Sequence, residues 1–385
     1  MSLQDRLSAF QEVKTPFFYY DMGLLQNTLN EVKRCIAGTN FHVHYALKAN
    51  VNKPILELIR KNGLGADCVS GNEVKRALET GFDPDSIVFA GVGKTDEEIS
   101  YALDQHIFAF NCESVQELEV INDLARQKGV VANVALRLNP NVDPETHQYI
   151  TTGLKDNKFG ISLKGLDVVF DQHQSWKNIR IEGIHFHIGS QVTKLGKYKE
   201  LSDRVNGLIT HFEEKGIDLS YVNLGGGLGI DYENPQGNPI APFEDYFNIF
   251  KQHLQIKGDK EVHFELGRSI VGQCGTLLTR VLYAKEAETT NFLIVDAGMT
   301  ELLRPALYQA HHEIQNLSSV EGHQVYDVVG PICETSDFFG KEVSLPMSNR
   351  GDLVAILSAG AYAEVMASQY NLRDKAPAIY STDLS

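Results

Sequence analysis

The stretch His42-Val-His-Tyr-Ala-Leu-Lys-Ala-Asn50 decides how this chain is read. Residues 43–47 have the apolar, β-branched and aromatic character of a buried strand. An isolated lysine, Lys48, stands at the strand's carboxyl end, followed by small Ala49 and polar Asn50. Lys48 has two readings. It is either a surface lysine that ends a strand, or an amine, partly desolvated by apolar neighbours, that attacks a carbonyl compound and holds it as a Schiff base. The stretch alone does not choose between them; the rest of the chain bears on the choice.

Outward from Lys48, short apolar runs alternate with amphipathic stretches. Strands are expected at 43–47, 66–69, 87–90, 107–110, 134–138, 184–186, 221–224 and 262–266. Helices are expected at 54–61, 70–80, 96–105, 114–128, 201–215 and 243–255, with only a thin helical pattern around 165–173. Eight strands with intervening helices predict an α/β fold, a (β/α)8 TIM-type barrel, with a doubly wound open sheet as the competitor. The barrel is favoured by where the chemically able residues fall. Lys48, Asp67, Asn111, Arg137, Asn139, His187, Gly225 and Glu265 all lie in or just after strands, and the carboxyl ends of barrel strands converge on one face. After about residue 270 the texture changes: strands at 272–283, 292–296, 324–329 and 352–357 follow without helices, a C-terminal β-rich domain of the sandwich or barrel kind. An opening strand at 17–20, before a helix at 22–37 capped by Asp21, is free to pair into it. The expected domains are 25–269 for the barrel, and 1–24 with 270–385 for the β-rich part. The polar loop 139–158 is a candidate lid.

Composition narrows the chemistry. The chain has 385 residues, 43% of them hydrophobic, and 35 Lys+Arg against 50 Asp+Glu give a net charge of -15. That balance argues against nucleic acid or an anionic membrane as partner, and any anion site must come from local dipoles and a few arginines. Five scattered cysteines, Cys35, Cys68, Cys112, Cys274 and Cys333, show no metal-type pairing and suit a reducing compartment. With a polar start and no run of membrane-spanning length, the expectation is a soluble cytoplasmic protein.

Three further stretches add parts of a site. Gly225-Gly-Gly-Leu-Gly229 follows the seventh strand; it is either a mobile turn or a backbone cup whose N–H groups face a phosphate, the place where barrels favour one. It is not a nucleotide P-loop, because no Gly-Lys-Ser/Thr follows. In Glu265-Leu-Gly-Arg268 an acid lies in an apolar run and needs a partner: a salt bridge to Arg268, or a protonated ring nitrogen. Gly183-Ile-His-Phe-His-Ile-Gly-Ser190 carries two histidines. A metal lacks a third ligand of suitable spacing. His187 fits an imidazole lying against a flat ring with Ser190 near its phosphate, and His185 a satisfied core histidine. A lysine, a phosphate cup and a carboxylate for a cationic ring nitrogen are together the parts of a pyridoxal phosphate (PLP) site.

The segments Tyr45-Ala-Leu-Lys48-Ala-Asn50, His185-Phe-His187-Ile-Gly-Ser190, Gly225-Gly-Gly227 and Glu265-Leu-Gly-Arg268 resemble the PLP-dependent decarboxylases of the alanine racemase-like barrel fold. Arg304-Pro-Ala-Leu-Tyr308, Gly330-Pro-Ile-Cys-Glu334-Thr-Ser-Asp337, Gly360-Ala-Tyr362 and the run from Thr146 to Ile161 resemble its diaminopimelate decarboxylase branch rather than the ornithine or arginine branches. The resemblance runs from Thr15 to about Asn371. It implies that Lys48 holds PLP, that His187 stacks on the ring and that Glu265 binds its nitrogen. Asp67 would lie near the Schiff base, and Ser190, Gly225, Gly226, Gly227, Gly267, Arg268 and Tyr362 would surround the phosphate or the adjacent substrate. Arg268, Arg304, Tyr308 and Tyr362 would bind substrate. Cys333 would approach the reacting carbon and Glu334 the distant amino group, both from a partner subunit, so that Lys48, Cys333, His187 and Glu265 form the catalytic set of a homodimer with shared sites. The implied reaction takes meso-2,6-diaminopimelate to L-lysine and carbon dioxide. Leu266 replaces the family's usual proline, and Thr335 its common serine. Three rivals remain. A carboxynorspermidine or ornithine/arginine decarboxylase gives no reason for the Arg304–Tyr308 segment. A racemase needs a second base. A PLP-carrier protein would lack the β-rich part.

Overall fold

The chain first lays down a short strand, β1 (Phe17–Tyr20), with all four side chains buried. It then alternates strand with helix. Strands β2 (Phe41–Ala46), β3 (Gly65–Cys68), β4 (Ile87–Phe89), β5 (Ala109–Cys112), β6 (Ala132–Arg137), β7 (Ile179–His185), β8 (Tyr221–Asn223) and β9 (Glu261–Leu266) pair in parallel, each with the next, and β9 pairs back onto β2 to close a barrel. The structure is a computed structural model that describes residues 3–140 and 158–384. The segment read as a lid, 139–158, lies outside the described residues except at its two ends.

Local chemistry starts the helices. Ser70, Thr95, Ser114 and Ser162 each accept a hydrogen bond from the backbone N–H three residues on, satisfying a donor that the first helical turn leaves open. Thr95 and Glu98 complete a capping box. The thin pattern between the fifth and sixth barrel strands is a ten-residue helix, Leu163–Gln172. One strand sits two residues later than expected. His106 takes a left-handed φ of +52° and the chain turns through 107 and 108, so β5 begins at Ala109 and Asn111 lies within the strand rather than after it.

Side chains on a strand alternate between faces, and in a closed barrel one face is the interior. The inward positions form two layers. The lower holds His44, Gly65, Ala109, Ala135, Gly183, Tyr221 and His263. Gly65 leaves room for the His44 ring and Gly183 for the Tyr221 ring, since a Cβ at either would strike that ring. Ala109 and Ala135 pack on Tyr221. His44 Nδ1–H donates to the Ser86 carbonyl at 3.0 Å, which leaves its Nε2 to accept from His263 Nδ1 at 2.8 Å. Two residues further along the strands the upper layer is polar: Asp67, Asn111, Arg137, His185, Asn223 and Glu265, all buried. The lower layer thus plugs the barrel beneath a polar one.

The chain divides into two units: Leu29–Gly229 with Pro242–Gly267, which holds the barrel, and Met1–Thr28 with Ile230–Ala241 and Arg268–Ser385. In the second, β10 (Gly275–Glu286) is the spine. It pairs antiparallel with β1, with β11 (Asn291–Val295) and with β15 (Leu353–Ile356), which in turn pairs with β12 (Ile314–Asn316). β13 (Gln324–Val329) runs parallel to β11 and antiparallel to β14 (Phe338–Leu345); β16 (Ala378–Tyr380) runs parallel to β1. No described helix is long and apolar enough to cross a membrane.

The helix Phe243–His253 packs on the barrel at Phe264, whose fully buried ring lies 5.0–5.8 Å from those of Tyr246, Phe247 and Phe250 on that helix and of Phe41 on β2. Replacing a buried aromatic by alanine removes apolar burial and leaves a cavity, typically costing about 3–5 kcal/mol. We expect Phe264→Ala to lower the unfolding free energy of the holoprotein in urea by about that amount, seen as a lower midpoint at unchanged m. A loss under about 1 kcal/mol would show that this cluster is not what holds the helix to the barrel.

Candidate active site

Lys48 sits in a single 3-10 turn, Leu47–Ala49, directly after β2. That turn lifts the amine off the strand end while the flanking Leu47 and Ala49 stay buried. Its Nζ lies 3.7 Å from Asp67 Oδ2; the lysine side chain is 39% exposed and the aspartate fully buried. Among the described residues neither Asp67 oxygen has a hydrogen-bond partner. Burial, then repulsion from Glu265, push the Asp67 carboxyl up to about 8, against the attraction of Lys48.

Glu265 has the opposite surroundings in the same layer. Its Oε1 accepts from Asn111 Nδ2 at 2.7 Å and from Asn223 Nδ2 at 2.8 Å. Its Oε2 accepts from His185 Nε2 at 2.9 Å. Burial alone would raise this carboxyl; the attraction and hydrogen bond of His185, with the Lys48 charge beyond, overcome it and hold the group well below the usual carboxylate range. A neighbouring pair is also charged: Arg137 donates to Glu113 at 2.6 Å and packs over Phe159 at 4.5 Å, and Glu113 accepts the Gly160 N–H at 2.8 Å.

His187 follows β7. Burial and the Arg137 and Lys48 charges keep its imidazole neutral, its pKa well below the ordinary value. Its Nδ1 accepts from Gly226 N at 3.3 Å, and Gly225 N donates to Asn223 Oδ1 at 2.9 Å. The glycine run is sterically enforced. A Cβ at Gly225, Gly226 or Gly227 would strike the carbonyl oxygen of Phe186, Glu265 or Gly189 respectively, and Gly225 and Gly227 have φ of +67° and +106°. Ser190 lies three residues past His187 on the same connection, and Gly267 follows Leu266 at the end of β9.

The other unit holds a cluster of its own. Arg268 Nη1 donates to Tyr232 Oη at 2.6 Å, and its guanidinium lies 4.8 Å over the Tyr362 ring. Arg304 begins a short helix, Arg304–Tyr308, and lies 4.8 Å over the Tyr232 ring. Its Nη1 donates to His312 Nε2 at 2.8 Å, because His312 spends its Nδ1–H on the Leu357 carbonyl. Burial and the Arg304 charge keep His312 neutral. Both arginines are buried, and Arg304 Nε has no hydrogen-bond partner among the described residues. In this unit Cys333 and Glu334 are exposed; Glu334 Oε1 accepts from Tyr370 Oη at 2.7 Å, and Cys333 N donates to Asn371 Oδ1 at 3.3 Å.

The structure therefore brings Lys48, Asp67, His187, Glu265 and the glycine turn together within the barrel unit, and Arg268, Arg304 and Tyr362 together within the other. Sequence reading missed Asn223, Tyr232 and His312, and assigned no role to Asn111. For the asparagines a signal existed: each stands two residues after a small or aromatic inward position, Ala109 or Tyr221, as Glu265 stands after His263. Among the described residues no group of three or more histidines, cysteines or acids is placed to hold a metal ion.

Comparison with known proteins gives the family. The family model described as pyridoxal-dependent decarboxylase, pyridoxal binding domain, matches residues 22–272. A diaminopimelate decarboxylase of Bacteroides thetaiotaomicron is 49% identical over 378 residues, 98% of this chain and 98% of that protein. One of Aquifex aeolicus is 40% identical, covering 95% of this chain and 86% of its own length. The crystal structure of diaminopimelate decarboxylase from Helicobacter pylori complexed with L-lysine matches with a TM-score of 0.92 at 42% identity, covering 97% of this chain and 93% of that one.

The raised Asp67 pKa carries a stability consequence. The folded value, about 8, lies above the ordinary 3.8, so folding penalises the ionised form. The penalty is absent below about pH 4 and grows as the pH rises towards 8. Asp67→Asn should therefore raise the Tm of the cofactor-free protein at pH 8, with the gain shrinking towards pH 4. An equal gain at both pH values would mean that Asp67 is not the group that titrates.

Proposed function

The chain belongs to the pyridoxal-dependent decarboxylase family, and from that premise we propose that it decarboxylates meso-2,6-diaminopimelate to L-lysine and carbon dioxide. The barrel residues fit PLP on their own geometry. A lysine amine stands at the end of β2. A buried acid beside it has two oxygens without a hydrogen bond among the described residues, a second acid is held anionic, and a glycine turn admits no Cβ. PLP, when bound, supplies a cationic ring that takes up the electron pair left by the departing carboxylate. Lys48 is the residue that holds it, and Asp67, 3.7 Å away, is placed to exchange a proton with the lysine amine. Glu265 offers an anion to the ring nitrogen, and neutral His187 a flat face. Ser190, the turn Gly225–Gly227 and Gly267 line the phosphate end.

One observation carries the choice of substrate: the buried pair Arg268 and Arg304. Around Arg304 stand a tyrosine ring and a neutral histidine, and it has no carboxylate within 4.0 Å among the described residues. A buried guanidinium without an anion is costly, and an incoming carboxylate with bidentate geometry relieves it. Arg268, Arg304, Tyr308 and Tyr362 thus take the carboxylate that is not lost. Diaminopimelate has such a second carboxylate; lysine and ornithine do not. The exposed Cys333 and Glu334, the latter braced by Tyr370, serve the site of a second copy, so the active unit is a cytoplasmic homodimer.

Release of carbon dioxide from a panel of amino acids tests the assignment. Sites built to bond a polar group reject analogues lacking it by on the order of 10⁴–10⁵. We expect turnover of meso-diaminopimelate with that margin over ornithine and lysine. Comparable kcat/KM for ornithine would leave only the broader decarboxylase reading. Lys48→Ala should lose the borohydride-reducible cofactor linkage together with all turnover. Mixing inactive Lys48→Ala and Cys333→Ala subunits should restore part of the activity, because one hybrid site is intact. No recovery despite demonstrated subunit exchange would refute shared sites.

A further inference from the structure

A carboxylate has about four lone-pair sites. In Glu265 three are filled. Asn111 and Asn223 saturate Oε1, and His185 takes one position on Oε2. The donors are unambiguous, because an ionised carboxylate can only accept: both amides must turn their NH2 groups to Oε1, and His185 must carry its proton on Nε2. One acceptor position remains, and it is on Oε2. The surrounding atoms support this assignment. Asn223 Oδ1 is committed to Gly225 N, which fixes that amide's direction. Asn111 Oδ1 and His185 Nδ1 are left buried with no hydrogen-bond partner among the described residues, so both side chains forgo a bond while they serve the carboxylate.

We propose that Asn111, Asn223 and His185 are positioning residues that make Oε2 the atom of Glu265 that meets the cofactor's ring nitrogen, and that the amide pair on Oε1 keeps the shared proton on the nitrogen rather than on the carboxylate. The proposal rests on the PLP reading above and deepens it. The reason is a competition between two bases. A ring nitrogen and a carboxylate facing each other share one proton, which resides on the stronger base. Each N–H donated to the carboxylate stabilises its ionised form and makes it the weaker one. With three donors in a dry barrel the proton stays on the ring, and the ring keeps its capacity to accept electrons. Removing an amide from Oε1 strengthens Glu265 as a base without touching the lysine, the glycine turn or the buried arginines.

Asn111 is the cleaner residue to change, because Asn223 also serves Gly225. The test is the holoenzyme reconstituted with PLP labelled with nitrogen-15 in the ring, comparing the parent with Asn111→Leu. The ring nitrogen resonance reports its protonation directly. The parent should show a protonated nitrogen. Asn111→Leu should move the resonance towards neutral pyridine and lower kcat by about 10–100-fold, with KM little changed and the borohydride-reducible linkage at Lys48 intact. If Asn111→Leu does not fold, Asn111→Ala gives the same reading. Restoring an amide as Asn111→Gln should return the resonance part of the way, which a merely structural role would not do. A ring nitrogen that stays fully protonated in the leucine or alanine variant, with kcat unchanged, overturns the proposal. A parent protein with no reducible linkage at Lys48 overturns the cofactor reading itself, a separate and distinguishable failure.

Discussion

A carboxylate in the middle of a barrel ionises only if its lone pairs are met by donors. Glu265 satisfies that condition and Asp67, in the same inward layer, does not. The first has three N–H donors on two oxygens, and the second has a lysine amine at 3.7 Å and no hydrogen bond among the described residues. Their proton affinities are driven apart by surroundings alone, one carboxyl held down and the other pushed up to about 8. Two acids so separated can do two tasks at one pH, one as a standing anion and one as a proton carrier. The rest of the barrel is arranged to permit this contrast. The donors to Glu265 come from β5, β7 and β8, so its ionisation depends on closure of the whole strand set.

Closure in turn depends on the layer beneath. The glycines and alanines at Gly65, Ala109, Ala135 and Gly183 leave room for the rings of His44, Tyr221 and His263, which fill the lower barrel. Without that plug the polar layer would be open to water from below, and the donors on Glu265 would compete with solvent. The triple glycine turn is tied to the same geometry. A side chain at Gly226 would strike the Glu265 carbonyl, so the turn is shaped by close approach to β9 whatever else its backbone binds.

Much of this was legible in the chain. Lys48, Asp67 and Glu265 stand out as lone charged groups at the ends of apolar runs, and eight such runs with helices between them announce a barrel. What stayed hidden depends on register and on distance. Asn223 ends a three-residue strand and falls within the expected run 221–224, where nothing local marks it as a partner of Glu265, and Asn111 falls just after its expected strand because the turn at His106 shifts β5 by two residues. Only barrel closure shows that both amides point at one oxygen. The arginine cluster draws on positions 232, 268, 304, 312 and 362, with no periodicity linking them. In the second unit β14 was not read as a strand, because Gly340, Lys341 and the left-handed Glu342 break its alternation, and the ladder with β13 carries register shifts there.

The net charge of -15 gives the arginine cluster its significance. A long-range field of that sign does nothing to draw in a carboxylate, so attraction for that group must be short-ranged and local. Had Arg304 been paired with an internal acid, the fold would carry a satisfied ion pair and an arriving carboxylate would have to displace it. The chain instead surrounds the Arg304 guanidinium with groups that solvate a cation without cancelling it: a tyrosine ring and an imidazole kept neutral by burial and by the Arg304 charge. His312 can accept from Arg304 only while it stays neutral, and its Nδ1–H bond to the Leu357 carbonyl fixes the tautomer that does so. The positive charge is thereby stored rather than spent. The stability cost of that storage is the source of the discrimination, because only a ligand that brings the missing carboxylate recovers it.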